Sequence, residues 1–111
     1  MNEPVTLINA FSVAAEESER FLRRWKENAR IIARRPGLIG ARMYRSLADD
    51  AEPRFVNVAE WESREALDSA MANLEWRASV RRMLDDSDLH VTARPVLYQV
   101  TITLRPGEAP S

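Results

Sequence analysis

The amino-acid sequence predicts one α+β domain of the ferredoxin-like type, in which helices pack on one face of a four-stranded antiparallel sheet. Three observations support this prediction. Four segments have the apolar pattern of strands, two regions repeat apolar residues at helical spacing, and the order along the chain is β-α-β-β-α-β. The length of 111 residues suits one domain with one core. We assign residues 1–104 to this domain and expect residues 105–111 to form a flexible C-terminal tail.

The first strand and the first helix are predicted near the N-terminus. Residues 5–13 read VTLINAFSV, and both alternating sets of side chains are largely apolar, which is typical of a strand covered on both faces. Residues 16–35 repeat apolar residues at steps of three and four. Acids occupy the first turn and arginines the last, where the helix dipole favours them. Pro36 and Gly37 then end this helix.

Three further strands are predicted. The second runs from about Leu38 to Leu47, and the polar segment 48–54 connects it to the third, residues 55–61. The final strand is predicted from about Val96 to Leu104. Together with the first strand, these segments complete a four-stranded sheet.

The second helical region lies between the third and fourth strands. Ser63 is a predicted N-cap, the helical pattern begins at Arg64, and it continues to Leu84. We expect two short helices or one bent helix, with the break near Asn73.

Composition excludes several classes of function. A net charge of −1 gives no strong attraction to nucleic acid or to a membrane surface. The chain has no cysteine and one histidine, so we expect no disulfide, no thiol chemistry and no usual transition-metal site. Its three glycines form no phosphate-binding loop. The N-terminal segment has neither a basic leader nor a long apolar run, and we therefore expect a soluble, cytoplasmic protein.

The strand pattern also predicts a dimer. Helices cover only one face of such a sheet, yet apolar side chains occupy both faces. Ile8 and Phe11 point to opposite faces of the first strand, and Val58 and Phe55 to opposite faces of the third. The second apolar face requires a partner, and a twofold copy is the commonest solution. Two sheets packed in this way form a dimeric α+β barrel. The alternative is a monomer whose sheet is incompletely patterned.

Four stretches of the chain, taken in order, resemble the antibiotic biosynthesis monooxygenase family. They are LINAFSV, RRPGLIGARMYRSL, FVNVAEWESREAL and RPVLYQVTI, and the resemblance covers residues 5–102. It implies a dimeric α+β barrel with a pocket between sheet and helices in each subunit. Several relatives oxidise aromatic polyketides with molecular oxygen and without metal or flavin.

The resemblance also implies roles for individual residues. Relatives place an Asn-x-x-x-Trp pair of the third strand in the pocket, and here that pair is Asn57 and Trp61. An arginine on the following helix contributes in some relatives. Arg81 is the best match, with Arg77 one turn earlier as the second choice. We therefore expect Asn57, Trp61 and Arg81 to be catalytic.

The residues themselves indicate an apolar chamber with few polar groups. Asn57 shares its strand face with Phe55 and Trp61, and burying an unpaired amide costs about 1–3 kcal/mol. Its amide must therefore bind a substrate oxygen, or be satisfied by backbone or water. Asn9, two residues before Phe11, is expected on the same face of the sheet. The expected substrate-binding residues are Asn9, Phe11, Phe55, Trp25, Trp76 and Arg77.

Each candidate also has a purely structural alternative. Trp61 could close the core at the end of its strand. Trp25 and Trp76 could belong to the core or to a pocket wall. Arg77 and Arg81 are four residues apart and could lie together on a solvated helix face.

The leading hypothesis is a cofactor-independent monooxygenase that oxidises an aromatic, polyketide-like phenol or anthrone with molecular oxygen. Alternatives are a non-catalytic small-molecule-binding barrel, a purely structural dimer, and a haem-binding or haem-degrading protein. Haem-degrading relatives use an Asn on the first strand, a Trp ending the third strand and a His on the later helix. Asn9 and Trp61 match the first two, but residues 62–89 contain no His, and His90 lies beyond the predicted helix.

Overall fold

The computed structural model describes residues 3–111 and contains the predicted elements in the predicted order. A short 3₁₀ turn, Ala15–Glu17, precedes the first helix. The elements are β1 (Val5–Val13), α1 (Ser18–Ile32), β2 (Leu38–Arg45), β3 (Phe55–Trp61), α2 (Arg64–Met71), α3 (Leu74–Leu84) and β4 (Val91–Tyr98). The strands form one antiparallel sheet in the order β2-β3-β1-β4. This is the ferredoxin-like α+β fold that the sequence predicts.

The bounds of the last strand differ from the prediction. β4 covers Val91–Tyr98 rather than residues 96–104. The predicted bounds leave out residues 91–95, which include Pro95. β4 is an edge strand that pairs only with β1, and a proline is tolerated at such an edge. Residues 99–104, which we name the C-terminal arm, lie beyond the sheet, and its apolar side chains are 70 to 75% exposed. They are Val100, Ile102 and Leu104.

Side-chain caps divide the second helical region as predicted. The Ser63 hydroxyl accepts a hydrogen bond from the backbone N–H of Ala66 at 3.1 Å and begins α2. The Asn73 carboxamide accepts one from the backbone N–H of Trp76 at 2.9 Å and begins α3. The break therefore lies at Asn73, because its side chain caps a new helix while its backbone is extended. No helix among the described residues is long and apolar enough to cross a lipid bilayer.

The turn before β2 depends on glycine. Gly37 has a φ of 91°, a conformation that residues with a Cβ rarely adopt. A Cβ at this position would also collide with the Cβ of Ala66 on α2. The backbone of Glu62 donates to the Gly37 carbonyl at 2.8 Å. The predicted helix stop is thus also the point where this turn packs closely against α2.

The sheet has one face covered by helices and one open face, which we name the outer face. On the outer face Ile8 stands between Val58 of β3 and Val96 of β4. Its apolar side chains are Ile8, Ala10, Tyr44, Val56, Val58, Val96 and Tyr98. None of the described helices packs on this face, so the apolar pattern of both strand faces leaves one of them without a cover.

The core between sheet and helices consists of two separate apolar clusters. The first surrounds Phe21 of α1, which is fully buried and has its ring centroid 4.9 Å from that of Phe11 and 5.2 Å from that of Phe55. The second surrounds Trp61 and includes Leu67 of α2. Apolar side chains thus pack together within each cluster, and the two clusters are separated by polar side chains described below.

Candidate functional site

A row of four residues crosses the helix-covered face between the two apolar clusters. Asn9 of β1 and Asn57 of β3 are direct cross-strand partners. Met43 of β2 flanks Asn57, and Pro95 of β4 flanks Asn9. On each central strand the asparagine stands between a residue of the first cluster and a residue that packs in the second. We name Asn9 and Asn57 the amide pair; the sequence predicts that they share this face, and the register confirms it.

The amide pair is buried without protein partners. Asn57 is 8% exposed and Asn9 is half-buried. The Oδ1 atoms of both residues, and Nε1 of Trp61, are buried and have no hydrogen-bond partner within residues 3–111. An unsatisfied buried polar group costs about 1–3 kcal/mol. The two Oδ1 atoms are on cross-strand partners, and a pair of unsatisfied acceptors in one row is typical of a binding site that a ligand or water completes.

The predicted aromatic residues lie around the amide pair. Phe11 and Phe55 belong to the first cluster, one row away, and Trp25 packs against the same cluster. Trp61 is fully buried in the second cluster, at the other end of β3 from Phe55. Aromatic rings therefore lie on both sides of the amide pair along the strands, Phe11 and Phe55 in the next row and Trp61 beyond Ala59.

Three other predicted residues lie elsewhere. Arg77 and Arg81 are exposed on the face of α3 opposite its buried residues Ser79 and Met83. The Arg77 guanidinium donates to the backbone carbonyl of Met71 at 3.0 Å. The structure therefore does not bring either arginine to the amide pair, because the phase of α3 turns both towards solvent. Trp76 is half-buried and packs in neither cluster.

The helical layer contributes two buried polar residues that the sequence analysis did not single out. Asn28 of α1 is 5% exposed and Ser79 of α3 is 2% exposed. The Ser79 hydroxyl donates to Asn28 Oδ1, and Asn28 Nδ2 donates to the Met83 thioether at 3.6 Å. A signal was present: Asn28 lies on the same face of α1 as Trp25 and Ile32, at steps of three and four.

An ion-pair network joins the start of α1 to the end of α3. Asp86 has a side chain that is 4% exposed, and it accepts from Arg20 Nε at 2.7 Å and from Arg24 Nε at 3.2 Å. The hydrogen bond from Arg20, with that from the backbone N–H of Asp88, lowers the pKa of Asp86 to about 2. The network fixes α1 against α3, and thereby fixes the helical side of the site.

A second contact closes the same end of the molecule. The Glu17 carboxylate accepts from the backbone N–H of His90 at 2.6 Å and lies 3.1 Å from its ring Nδ1. The backbone hydrogen bond from His90 is the largest cause that lowers the pKa of Glu17. His90, the only histidine of the chain, is thus held on the surface by Glu17, away from the amide pair.

The Asp86 network predicts a specific loss of stability in acid. The pKa of Asp86 is lower in the folded chain than in the unfolded one, so its ionised form stabilises the fold above about pH 4, and that stabilisation is lost as the pH falls towards 2. We expect the urea midpoint to fall less between pH 4 and pH 2 in an Asp86→Asn variant than in the wild type. The exposed neighbour, in the variant Asp85→Asn, is the control. Equal acid sensitivity of Asp86→Asn and the wild type would contradict the prediction.

Two surface cavities lie outside the amide pair. One, of about 480 Å³, lies between the ends of β1 and β4 and the start of α2. The other, of about 490 Å³, lies on the outer face beside β2 and is lined by residues that include Ile39 and Tyr44. Neither is lined by Asn9, Asn57 or Trp61. The described residues also contain no group of three acidic, histidine or cysteine side chains placed to hold a metal ion.

The chemistry of the site follows from its donors and acceptors. Each carboxamide offers one acceptor and two donors, and the Trp61 indole offers one donor. The side chains of the row carry no acid or base, so the site can bind and orient oxygen substituents of an apolar ligand but does not itself supply a titrating group.

Comparison with known proteins points to one family. The family model of the antibiotic biosynthesis monooxygenases matches residues 4–82. No curated protein matches the chain at a significant level of similarity. Many solved structures are similar, among them a Shewanella loihica PV-4 protein provisionally assigned as a monooxygenase, with 29% identity, a TM-score of 0.73, and coverage of 93% of this chain and 99% of that one.

Two further structures differ from each other in what they bind or do. SnoaB from Streptomyces nogalater, a cofactor-independent oxygenase, has 25% identity and a TM-score of 0.76, with 92% of this chain and 97% of that chain covered. A variant of MhuD that holds two manganese protoporphyrin IX molecules per active site has 25% identity and a TM-score of 0.70, with 91% and 98% covered.

Proposed function

The chain belongs to the antibiotic biosynthesis monooxygenase family, and on that premise we propose that it is a cofactor-independent monooxygenase acting on an aromatic, polyketide-like phenol or anthrone. The observation that carries this proposal is the amide pair, whose two buried Oδ1 atoms lack partners; Nε1 of Trp61, two rows further along β3, also lacks one. An apolar chamber with a few convergent polar groups suits a flat ring system that carries oxygen substituents. The similarity to SnoaB supports the same class of reaction.

The proposed reaction needs no external reductant. The ring methylene of an anthrone loses a proton to solvent, and the resulting carbanion gives one electron to molecular oxygen. The carbon radical and superoxide combine into a C–O bond, and the peroxide takes up a proton. Loss of the second C–H proton then breaks the O–O bond and yields a ketone and water. Substrate and one O₂ thus give one quinone and one water.

The residues of the site would assist by holding oxygen atoms and excluding water. Asn57 and Asn9 would bind the hydroxyl and the ionised oxygen of the ring system, since a carboxamide both donates and accepts. Trp61 would donate its N–H to a ring oxygen or line the ring face. Phe11 and Phe55 would form the apolar wall. The exposed Arg77 and Arg81 have no part in this proposal.

Oxygen uptake with a simple anthrone tests the proposal. We expect metal-stripped protein to consume one O₂ per quinone formed, above the spontaneous rate, with no effect of added chelator. Catalase should return no oxygen, because no free hydrogen peroxide is released. Binding of the anthrone without uptake would favour the non-catalytic binding protein, and uptake that stops on removal of metal would overturn a cofactor-free mechanism.

Haem is the ligand that the MhuD relative suggests for a second function. Haem iron is usually held by an axial side chain such as histidine. The only histidine here is paired with Glu17 at the surface and does not lie at the amide pair. The residues of the site therefore do not fit a histidine-ligated haem, and we do not propose one.

We also propose that the protein acts as a homodimer through the outer face. This face has an apolar centre around Ile8, Val58 and Val96, with Arg42, Arg94 and Glu60 at its margins, and the cavity beside β2 lies next to it. The C-terminal arm carries apolar side chains at every second position, and these remain mostly exposed within the single chain. A second copy suits both features, because a twofold axis lets each arm cover the β2 edge of the other subunit.

A charge placed in the arm tests the dimer. We expect Ile102→Asp to raise the dimer dissociation constant on the order of 100-fold, because the new carboxylate would be buried without a partner. The control is Thr101→Asp, which places the same charge at the neighbouring polar residue of the arm. Sedimentation equilibrium measures both. A wild-type protein that stays monomeric at micromolar concentration, or equal weakening by the two variants, would contradict the proposal.

A further inference from the structure

We propose that Asn28 and Ser79 form the helical wall of the ligand site, with Asn28 Nδ2 as a donor to a carbonyl oxygen of the bound ring system. This inference rests on the proposed function, because it concerns the same site. It adds a binding residue on α1, a positioning residue on α3, and a narrower class of ligand, namely an aromatic compound that carries both a hydroxyl and a carbonyl.

The first argument is the position of Asn28 in the core. On its face of α1 the neighbours are Trp25, which packs in the first apolar cluster, and Ile32, which packs in the second. The amide pair occupies the same boundary on the sheet. Sheet and helix therefore each place a carboxamide where the two clusters meet, although most other core positions are apolar.

The second argument is the set of hydrogen bonds that are not made. Asn28 Nδ2 donates only to the Met83 thioether at 3.6 Å, and sulfur is a weak acceptor. The Oδ1 atoms of Asn9 and Asn57 are strong acceptors without donors. Donor and acceptors in one layer of the core would bond directly if they were in reach. Since no such bond is made, we infer that the ligand is the third group that links the two walls.

The third argument is the orientation of the Asn28 carboxamide. The Ser79 hydroxyl donates to Asn28 Oδ1, so the oxygen is engaged at α3 and Nδ2 is the end left for a ligand. A ligand would then meet acceptors on the sheet and a donor on the helices. A hydroxyl would donate to one Oδ1 of the amide pair, and a carbonyl oxygen would accept from Asn28 Nδ2. Ser79 acts through Asn28 and is a positioning residue.

A ligand-and-residue cycle tests the inference. The probes are 1-hydroxyanthraquinone, which has a carbonyl, and 1-hydroxyanthracene, which lacks one; tryptophan fluorescence measures their binding. The variant is Asn28→Leu/Ser79→Ala, which removes both partners of the buried bond and so keeps the core satisfied. We expect it to bind the anthraquinone about tenfold more weakly and the anthracene less than twofold more weakly.

Two controls separate this effect from a loss of stability. Ser63→Ala removes the buried cap of α2 and should lower the melting temperature while leaving both affinities unchanged. Ser79→Ala alone should weaken only the anthraquinone, because it frees the Asn28 carboxamide to rotate. Equal weakening of both probes by the double variant, or no weakening of either, would overturn the inference.

The outcome also distinguishes this inference from the proposed function. If the wild type takes up oxygen with an anthrone but the double variant weakens the binding of both probes equally, the role of Asn28 is overturned and the proposed monooxygenase activity is retained. If the wild type binds neither probe and takes up no oxygen, both are overturned.

Discussion

The Asn57→Leu variant is expected to lose about 100-fold in kcat/KM for an anthrone while unfolding at a higher temperature than the wild type. Leucine has nearly the shape of asparagine but no polar atoms, so it removes a buried Oδ1 that has no partner in the free protein. The substitution relieves a cost to folding and also removes the group proposed to hold the substrate oxygen. Thermal unfolding and oxygen uptake, measured on the same preparation, check the expected rise in unfolding temperature and the expected fall in kcat/KM.

Met43→Leu is the matched control for this variant. Met43 is the cross-strand neighbour of Asn57 in the same row, and the exchange conserves volume and polarity. We expect little change in either measurement. A variant Asn57→Leu that is less stable than the wild type would show that the carboxamide is satisfied in the folded protein, and full turnover by the same variant would remove Asn57 from the mechanism.

The second large effect is expected at Phe21. Its side chain is fully buried, and its ring lies against those of Phe11 and Phe55, so that it joins α1 to the two central strands. Phe21→Ala should lower the free energy of unfolding by about 3–5 kcal/mol, through lost burial and the cavity left behind. That is a large part of the 5–15 kcal/mol typical of a small domain.

Urea unfolding at one fixed protein concentration measures this effect, since dimerisation would make the stability depend on concentration. Leu74→Ala is the control, because Leu74 is a mostly exposed leucine at the start of α3. We expect its cost to be below about 0.5 kcal/mol. A small cost at Phe21 would mean that the first apolar cluster does not hold α1 on the sheet.

The sequence predicts most of the fold because its signals are local. The period of two in β3 gives its bounds, and the caps at Ser63 and Asn73 give the division of the second helical region. The bounds of β4 differ from the prediction, and the local pattern could not decide them: a proline is tolerated in an edge strand, and only the sheet order shows that this strand is an edge.

The candidate site was predicted less completely, for a physical reason. Asn9 and Asn57 stand out in strands, where alternation alone decides which side chains share a face. On a helix an error of one residue in phase turns a side chain by about 100°. Arg81 and Ser79, two residues apart on α3, therefore face opposite ways, the first exposed and the second buried. Asn28 was missed because a polar residue on an apolar stripe lowers the helical signal instead of adding to it.

The division of the core into two apolar clusters has a mechanical consequence. Hydrophobic cohesion acts within each cluster but is weakest along the boundary between them, where carboxamides replace hydrocarbon. β1, β3 and α1 all run across this boundary, so the two clusters are joined by continuous backbone where apolar packing is interrupted. The asparagines that would bind the ligand thus lie where strand pairing, and not apolar contact, connects the two halves of the core.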